Sequence, residues 1–272
     1  MQTPLNQRWR DRRDFYRRPD EQINPLRYEV AEIMDDTTPK RFVTAMHYSG
    51  SYPNARFRFG LYRAGALVGV AVFSHPMNDA VLTNVFPGNP KDSVELGRFV
   101  LLDSVEGNGE SWFLARCFAQ LRTKALRGVV SMSDPLPRYT ADGHTMFAGH
   151  IGTCYQAHNA RYLGRATARP LHVLPDGRVF SARCVSKVRD GERGWKYSAA
   201  LLEAFGATPC PSTDAKRRAW LKRWVSQLTR RVSHPGNHRY AWPLVKHAGM
   251  VGTPQAYPKL DLSVLADAAK HV

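Results

Sequence analysis

One stretch of the chain, GHIGTCYQAHNARYLG, concentrates side chains that transfer protons or bind metal ions. His150, Cys154 and His158 follow one another at intervals of four residues, the spacing of neighbours on one face of an α-helix. Tyr155 and Tyr162 lie seven residues apart and therefore share a second helical face. The pattern is compatible with a packed core helix, with a metal site or with one wall of an active site.

Gly152 favours the active-site interpretation over the metal site. A glycine at this position is expected to delay the start of the helix, which moves His150 out of line with the other two candidate ligands. Three ligands on successive turns of one helix also rarely complete a metal site by themselves. We therefore predict no metal ligands here. We interpret the stretch as an active-site helix in which Tyr155 faces a cofactor and Cys154 lies in the core.

A second candidate site is the glycine-containing loop between the strand ELGRFVLL and the helix SWFLARCFAQLRTKAL. Gly107 and Gly109 would let the backbone approach an anion closely. The first N–H groups of the helix and its dipole favour a pyrophosphate there, and Ser111 is the expected N-cap. The loop has neither the Walker Gly-Lys-Ser/Thr sequence nor the Rossmann glycine pattern, so an ordinary turn before a helix is the alternative.

The charge of the chain points to a polyanionic partner. Its 272 residues include 39 Lys and Arg against 23 Asp and Glu, a formal net charge of +16, and the sequence pI is about 10.0. This excess favours nucleic acid as partner or substrate. The helix AKRRAWLKRWVSQLTRR is the densest basic segment, and its cations are expected to contact DNA phosphates, in particular Arg217, Arg218, Lys222 and Arg223. Trp220 and Trp224, one turn apart, are expected to anchor this helix on the body of the protein.

The cysteines and the apolar segments bear on the location of the protein. The four cysteines form no CxxC pair, which argues against a zinc ribbon or finger. There is no disulfide framework, and the N-terminal segment lacks the apolar region of a secretory signal, so a reducing cytoplasm is expected. The longest apolar runs, such as LVGVAVF, are far too short to span a bilayer, and no contact with a membrane is expected.

The elements that must position these residues can be followed along the chain. The sequence predicts a helix starting at Thr-Pro-Lys, a hairpin FRFGLYRAGALVGVAVFS with an Ala-Gly turn, the strand VELGRFVLL, the glycine loop and its helix, and the strand GVVSMSD. The opening stretch, a second hairpin around Pro-Asp-Gly and two C-terminal helices follow. Antiparallel strands followed by a strand–loop–helix–strand–helix unit predict an α+β fold with a mixed central sheet flanked by helices.

Composition suggests a division into three parts. Residues 1–26 are predicted to form a basic arm, although a disordered tail is an equal alternative. Residues 27–190 are predicted to form the catalytic core, and residues 191–272 a basic helical extension packed on that core. The segment 137–148, PRYTADGHTMFA, interrupts the core as an apparent insertion.

This order of elements resembles the GNAT acyltransferase fold, in which the strand–loop–helix unit binds the pyrophosphate of acetyl-CoA and a later helix carries a tyrosine general acid. A more specific resemblance rests on an ordered set of motifs: HYSGSYP, ELGRFVL, the serine at the loop-to-helix junction, SMSDP, GHIGTCYQAHNARYLG and NHRYAW. Together they are similar to the Mom family of phage DNA-modification proteins, over roughly residues 40–245.

The resemblance implies both a fold and an activity. Members of the family have a GNAT-like fold and convert adenine in DNA to N6-carbamoylmethyladenine, which blocks host restriction enzymes. Acetyl-CoA and a glycine-type unit are the natural candidates for the donor, and an iron ion is a further candidate cofactor. The implied partner is double-stranded DNA in the host cytoplasm. The target adenine must be flipped out of the duplex to expose N6, and Tyr48 and Tyr52 are candidates to stack on it.

The resemblance also implies roles for individual residues. His47 and Tyr48 match the family's HY pair and would line the pocket or transfer protons; a polar cluster at the end of the first helix is the ordinary alternative. Asp134, at the end of a strand, would orient adenine or the amine donor, or is only a turn aspartate before proline. Tyr155 would act as general acid or contact the cofactor, the alternative being a half-buried core tyrosine.

The remaining matches concern anion and DNA binding. Arg98 would pair with Glu95 or bind an anionic group of the cofactor, and Ser111 would contact the pyrophosphate. DNA contact or closure of the pocket is implied for the motif HRY, which comprises His238, Arg239 and Tyr240, with a simple structural role as an equal alternative. Two rival functions remain open: a GNAT acetyltransferase acting on a protein or a small amine, and a non-catalytic nucleic-acid-binding protein.

Overall fold

The computed structural model describes residues 22–259, which form two compact units. The first unit contains the described residues up to 135, residues 150–166, and the chain from 237 onward, and the second contains residues 136–149 and 167–236. The units interleave along the sequence, whereas the sequence analysis placed one boundary at residue 190. Most of the predicted basic arm, residues 1–21, lies outside the described part of the chain.

The strands and helices are numbered along the chain. The strands are β1 (Tyr28–Glu32), β2 (Ala55–Arg63), β3 (Ala66–Ser74), β4 (Ser93–Leu101), β5 (Gly128–Ser133), β6 (Arg138–Tyr139), β7 (Thr145–Phe147), β8 (Arg161–Arg165), β9 (Arg169–Val173), β10 (Val179–Phe180), β11 (Arg230–His234) and β12 (His238–Pro243). The α-helices are α1 (Thr37–Met46), α2 (Ala80–Thr83), α3 (Gly109–Thr123), α4 (Thr153–Ala157), α5 (Ala182–Asp190), α6 (Trp195–Glu203) and α7 (Asp214–Leu228), with 3₁₀ turns at Pro25–Arg27 and Pro90–Asp92.

A seven-stranded sheet organises the first unit, in the order β1-β2-β3-β4-β5-β12-β8. The β2–β3 hairpin turns at Ala64 and Gly65, which both have positive φ angles of 48° and 76°, as the twist of a tight hairpin requires. All neighbouring strands are antiparallel except β4 and β5, which are parallel. The predicted α+β fold with a mixed central sheet is therefore confirmed.

The parallel pairing of β4 with β5 stops early. Residues 93–95 pair with residues 128–130, and one further hydrogen bond runs from Ser131 Oγ to the carbonyl oxygen of Leu96 at 3.0 Å. No ladder pair joins the described strands beyond that point, although β4 continues to Leu101 and β5 to Ser133. The two strands therefore diverge, and we call the opening between their carboxyl ends the fork.

A β-bulge at Gly97 lies where the fork opens. Leu96 and Arg98 pair with consecutive residues of β3, and Gly97 between them has no partner on that strand. The extra residue shifts the alternation of side chains, so that Glu95 and Arg98 point to the same face of the sheet. An added Cβ at Gly97 would lie only 2.3 Å from Ser74 Oγ, which explains the need for glycine.

Helix α3 covers one face of the sheet with an aromatic core. The rings of Phe59, Phe73 and Phe118 make consecutive edge contacts at 5.7 and 6.1 Å, and Phe99 stacks on Phe113 at 5.8 Å. The helix begins at Gly109, two residues earlier than expected, after Asn108 in the left-handed conformation. Ser111 is therefore not the N-cap. Its hydroxyl lies inside the first turn and donates to the carbonyl oxygen of Asn108.

The stretch GHIGTCYQAHNARYLG is only partly helical. Gly152 adopts a left-handed φ of 77° and precedes the single helical turn α4, as its predicted effect on the helix start required. The chain then enters β8, so that Tyr162 lies on a strand next to β12. The prediction of one continuous active-site helix was wrong, because the edge of the sheet offers the second half of the stretch a hydrogen-bonded partner strand.

The second unit has its own sheet and core. Strands β10, β9 and β11 form a three-stranded sheet, and β6 pairs with β7, so that the apparent insertion at 137–148 contributes strands to this unit. The predicted hairpin around Pro-Asp-Gly is β9 and β10. Helices α5, α6 and α7 bury a cluster that comprises Leu174, Phe180, Val188, Ala199, Leu202, Trp220 and Leu221. Trp220 Nε1 also donates to the carbonyl oxygen of Thr208, which confirms the expected anchoring of the basic helix.

None of the helices in residues 22–259 is both long and apolar enough to cross a membrane.

We predict that Gly97→Ala destabilises the first unit through the clash with Ser74. Overpacking of this kind costs about 1–3 kcal/mol, which should lower the midpoint of urea denaturation followed by circular dichroism. The double variant Ser74→Ala, Gly97→Ala removes the clashing hydroxyl and should recover most of the loss. Equal destabilisation of the single and double variants would show that the bulge does not depend on this contact.

Candidate active site

Side chains from opposite faces of the sheet meet at the fork. His47 and Tyr48 follow α1, with their rings 4.1 Å apart, and the Tyr48 hydroxyl lies 3.2 Å from His150 Nε2. The backbone N–H of His150 donates to the carbonyl oxygen of Asp134, the residue immediately after β5. The structure thus brings the predicted residues His47, Tyr48 and Asp134 to one place, together with His150, for which we had considered only metal binding.

His47 is a neutral hydrogen-bond donor in this environment. The backbone N–H of Ser49 donates to His47 Nδ1 at 3.1 Å, so the proton of the neutral ring is assigned to Nε2. Burial holds the pKa of His47 well below its usual value, and the positive charge of Arg98 and the neighbouring His150 lower it further. At neutral pH the ring therefore keeps one N–H group and carries no charge.

Arg98 is held by the loop that follows α1. Its Nε donates to the carbonyl oxygen of Ser51 at 2.9 Å, and its Nη2 donates to Ser51 Oγ at 2.7 Å. Glu95 points to the same face, and burial raises the pKa of its carboxyl group while Arg98 opposes the shift. Sequence reasoning assigned Glu95 no role beyond pairing with Arg98, because the bulge that brings the two residues to one face leaves no signal in the sequence.

Tyr155 lies deep in the fork, with only 6% of its surface exposed. Its ring makes edge contacts with Tyr240 at 5.5 Å and with Trp242 at 5.4 Å, and its hydroxyl is hydrogen-bonded to Ser131. Burial raises the pKa of Tyr155 strongly, so the phenol keeps its proton at any physiological pH. Tyr155 is a buried core residue, one of the two alternatives that the sequence left open, and its role as a general acid stays a prediction.

The start of α3 fits an anion. Gly109 is buried, and a Cβ there would lie 2.5 Å from Val105 Cγ1, so glycine allows the loop to fold against the helix. Gly107 has a different role from the one expected, because its carbonyl oxygen accepts the N–H of Ile23 from the preceding chain. The N–H of Gly109 donates to the carbonyl oxygen of Glu106, and the N–H groups of Glu110 and Ser111 have no acceptor within residues 22–259. These features suit the pyrophosphate of a cofactor, with Ser111 in the first turn.

The three candidate metal ligands of the opening stretch do not converge. His150 contacts Tyr48, Cys154 packs against the core with a pKa raised to about 12 by burial, and His158 lies between Phe118 and Trp242. Within residues 22–259 no group of three or more His, Cys, Asp or Glu side chains could hold a metal ion. The residues present therefore do not fit an iron site, and we assign no step to a metal.

The basic helix α7 presents three of its four predicted DNA contacts to solvent. Arg218, Lys222 and Arg223 are exposed. Arg217 is only 5% exposed and donates to the carbonyl oxygens of Val188 and Ser212 and to the carboxylate of Asp214. Arg217 is therefore a structural residue of the second unit, because its guanidinium group is already saturated by internal acceptors.

The side chains of the motif HRY are not placed where the predicted DNA contact requires them. His238 and Tyr240 are almost completely buried, since β12 lies between β5 and β8. Arg239 is partly buried, and its Nη2 donates to the carbonyl oxygen of Leu163 at 2.7 Å. The sequence analysis did not recognise this segment as a strand. A central strand cannot present these side chains to the phosphates of a duplex.

Tyr52, a candidate for base stacking, is hydrogen-bonded to Asp36.

The mixed sheet, the fork and the strand–loop–helix unit define a GNAT-like α+β fold. The model of the Mom protein family matches residues 27–259, and the chain belongs to this family. Membership supports a role in DNA modification or acyl transfer. No curated protein matches the chain.

Two solved structures show a distant likeness. An N-acetyltransferase from Staphylococcus aureus Mu50 is 12% identical, with 70% of this chain and 68% of that chain covered and a TM-score of 0.32. A tandem GNAT protein from the clavulanic acid biosynthesis pathway is 7% identical, with 77% of this chain and 89% of that chain covered and a TM-score of 0.38.

We predict opposite effects for two adjacent arginines of α7. Arg217→Ala leaves buried acceptors without a donor and should destabilise the second unit by about 2–4 kcal/mol, measured by urea denaturation. Arg218→Ala should leave stability unchanged but weaken binding to duplex DNA. It should also reduce the slope of log affinity against log salt by about 0.9, the share of one phosphate contact. If folded Arg217→Ala reduced the salt slope and Arg218→Ala left the slope unchanged, this assignment would be contradicted.

Proposed function

We propose that the chain converts adenine in double-stranded DNA to N6-carbamoylmethyladenine and so protects phage DNA from host restriction enzymes. The observation that carries the proposal is the match to the Mom family over residues 27–259. The fork supports it, because it gathers a buried phenol, a neutral imidazole, a guanidinium group and a carboxyl group around one opening.

Each of these groups suits a part of the transfer. Aminolysis of a thioester forms an amide bond as the attacking nitrogen loses a proton and the thiolate leaves. Glu95, whose pKa is raised by burial, is suited to accept that proton. Tyr155 keeps its own proton on Oη and is suited to give it to a leaving group. The Nε2–H of His47 and the guanidinium group of Arg98 provide donors for negative charge that develops on an oxygen. We assign Asp134 to the orientation of the amine.

Acetyl-CoA is the cofactor we propose for this site. When bound, it would supply an acetyl group activated as a thioester, whose aminolysis forms an amide and releases the thiol. The N–H groups of Glu110 and Ser111 at the start of α3 would hold its pyrophosphate, and Gly109 lets the loop fold against the helix there.

The second unit supplies the positive charge that the DNA partner requires. It contains fifteen lysines and arginines against six aspartates and glutamates. Four of those six acids are in ion pairs with arginines of the unit, and the carboxylate of Asp142 lies 3.1 Å from His144 Nε2. The exposed cations of α7, Lys216, Arg218, Lys222 and Arg223, are in no ion pair with any residue from 22 to 259. We therefore assign phosphate contact to this surface. N6 is paired in a duplex, so the base must leave the stack to react.

The proposal is tested by mass spectrometry of nucleosides from plasmid DNA of cells that express the chain. The wild type should yield deoxyadenosine with a carbamoylmethyl group. Tyr155→Phe, which removes only the phenolic proton donor, should lower the yield by about a hundredfold, the usual share of a general acid. Tyr197→Phe is the matched control, since this tyrosine is 74% exposed and its replacement should have no effect.

The other outcomes separate the rival functions. Unmodified DNA from folded, expressed protein would contradict the proposal. Acetylation of a protein or a small amine would then point to an ordinary acetyltransferase, and DNA binding without any transfer would point to a binding protein.

A further inference from the structure

Two buried polar side chains face each other across β5 and β12, and each has a polar atom without a hydrogen-bond partner within residues 22–259. Ser133 and His238 are directly opposite in the register of the two strands, and their exposed fractions are 0% and 1%. Within residues 22–259, Ser133 Oγ and His238 Nε2 have no hydrogen-bond partner. Opposite residues on neighbouring strands have Cβ atoms about 5 Å apart, so one ligand can reach both.

Such unused groups call for an explanation, because burial of a polar atom without a partner disfavours folding. The other side of the imidazole is already engaged, since the Tyr162 hydroxyl lies 2.8 Å from His238 Nδ1. With Tyr162 as donor to Nδ1, the ring proton is on Nε2. Burial lowers the pKa of His238, and nearby Arg165 lowers it further, so the ring is neutral. The pair therefore offers one N–H donor and one hydroxyl that can accept.

The position of the pair links it to the fork. Ser133 is the last residue of β5 and precedes Asp134. Gly152 covers it closely: an added Cβ on this glycine would lie 3.2 Å from Ser133 Oγ and within 3 Å of the rings of Tyr240 and Tyr155. The segment that ends in Gly152 begins at His150, which contacts Tyr48 at the fork. Aromatic rings thus stand beside the pair and could stack on a planar ligand.

We propose that Ser133 and His238 form the floor of the pocket that receives the target adenine. The His238 Nε2–H would donate to N1 of the adenine, and Ser133 Oγ would accept one N–H of the neighbouring 6-amino group. The second N–H of that amino group remains available for the reaction. The segment 150–152 must move away from Ser133 as the base enters.

This arrangement also predicts discrimination between purines. Hypoxanthine and guanine carry an oxygen at position 6 and a hydrogen on N1. The Ser133 hydroxyl can turn to donate to that oxygen, so the discrimination falls on His238, whose N–H would oppose the N1–H of these bases. A site that hydrogen-bonds one pattern rejects the reversed pattern because its buried groups lose their partners. The proposal rests on the proposed function for the identity of the substrate, but the preference for adenine can be measured without any transfer.

The experiment uses the full chain and short fluorescein-labelled duplexes in which one adenine or one hypoxanthine lies opposite an abasic site. The unpaired base costs little to flip, and phosphate contacts are the same in both duplexes. Fluorescence anisotropy should show about tenfold tighter binding of the adenine duplex, the value of one or two net hydrogen bonds. His238→Phe should remove most of this preference, and Ser133→Ala should weaken the binding of both duplexes.

Ser93→Ala is the matched control, because Ser93 is also a buried strand serine whose hydroxyl has no partner within residues 22–259, but it lies at the closed end of the β4–β5 pair. It should leave the binding of both duplexes unchanged. In Tyr162→Phe the ring proton of His238 is no longer held on Nε2, so this variant should weaken the preference, and it provides the test if His238→Phe does not fold. A wild type without preference for adenine, a preference that His238→Phe leaves unchanged, or binding that Ser133→Ala leaves unchanged would overturn the proposal.

Nucleoside analysis distinguishes this failure from a failure of the proposed function. If the Ser133→Ala variant modified plasmid DNA to the wild-type level, the proposed pocket would be rejected and the proposed adenine chemistry would stand. An absence of modified adenine with the wild-type chain would reject the function itself.

Discussion

The divergence of β4 from β5 is the constraint on which the rest of the site depends. Two parallel strands normally continue their ladder along their full length, but these strands pair over only three residues each. The outer edges of both remain saturated, β4 by β3 and β5 by β12. The sheet therefore stays continuous at one end while backbone groups become available at the other. Side chains that belong to opposite faces, such as Arg98 and Tyr155, can then influence each other through the opening.

Burial at the fork sets the protonation states that a transfer reaction needs. The same desolvation that keeps Tyr155 protonated also keeps His47 neutral and raises the pKa of Glu95. Shifts in these directions give a proton donor, an uncharged hydrogen-bond donor and a proton acceptor at one place. Arg98 supplies the positive charge, and it is fixed by Ser51 rather than by a carboxylate. The bulge at Gly97 is what places Arg98 beside Glu95.

Much of the scaffold could be predicted from local patterns. The β2–β3 hairpin has an Ala-Gly turn between alternating and apolar runs, and α3 and α7 carry helical periodicity over 15 residues each. The effect of Gly152 on the start of α4 followed from its backbone freedom. The helix predicted after it failed, because a spacing of seven between tyrosines is also compatible with a short turn followed by a strand. Only the neighbouring strand β12 decides between them.

The site was less predictable than the scaffold for reasons of the same kind. His47, Tyr48, Arg98 and Tyr155 were identified by residue type and motif. Neither the bulge nor the fork has a sequence signal, so the sequence assigned Glu95 no role beyond pairing with Arg98. Arg217 and Arg218 look alike in the sequence, and only the fold shows that one is saturated by internal acceptors. The interleaving of the two units is likewise invisible in composition, because both are basic and contain helices and strands.

The central claim is that the fork is where the cofactor and the base meet. Amide hydrogen exchange at residues 97–99 and 131–133, compared with and without acetyl-CoA, tests it most directly, since the inner edges of both strands lack ladder partners there. We predict slower exchange in both segments and at the start of α3 when acetyl-CoA is present. Protection confined to other parts of the chain, with these segments unchanged, would contradict the account.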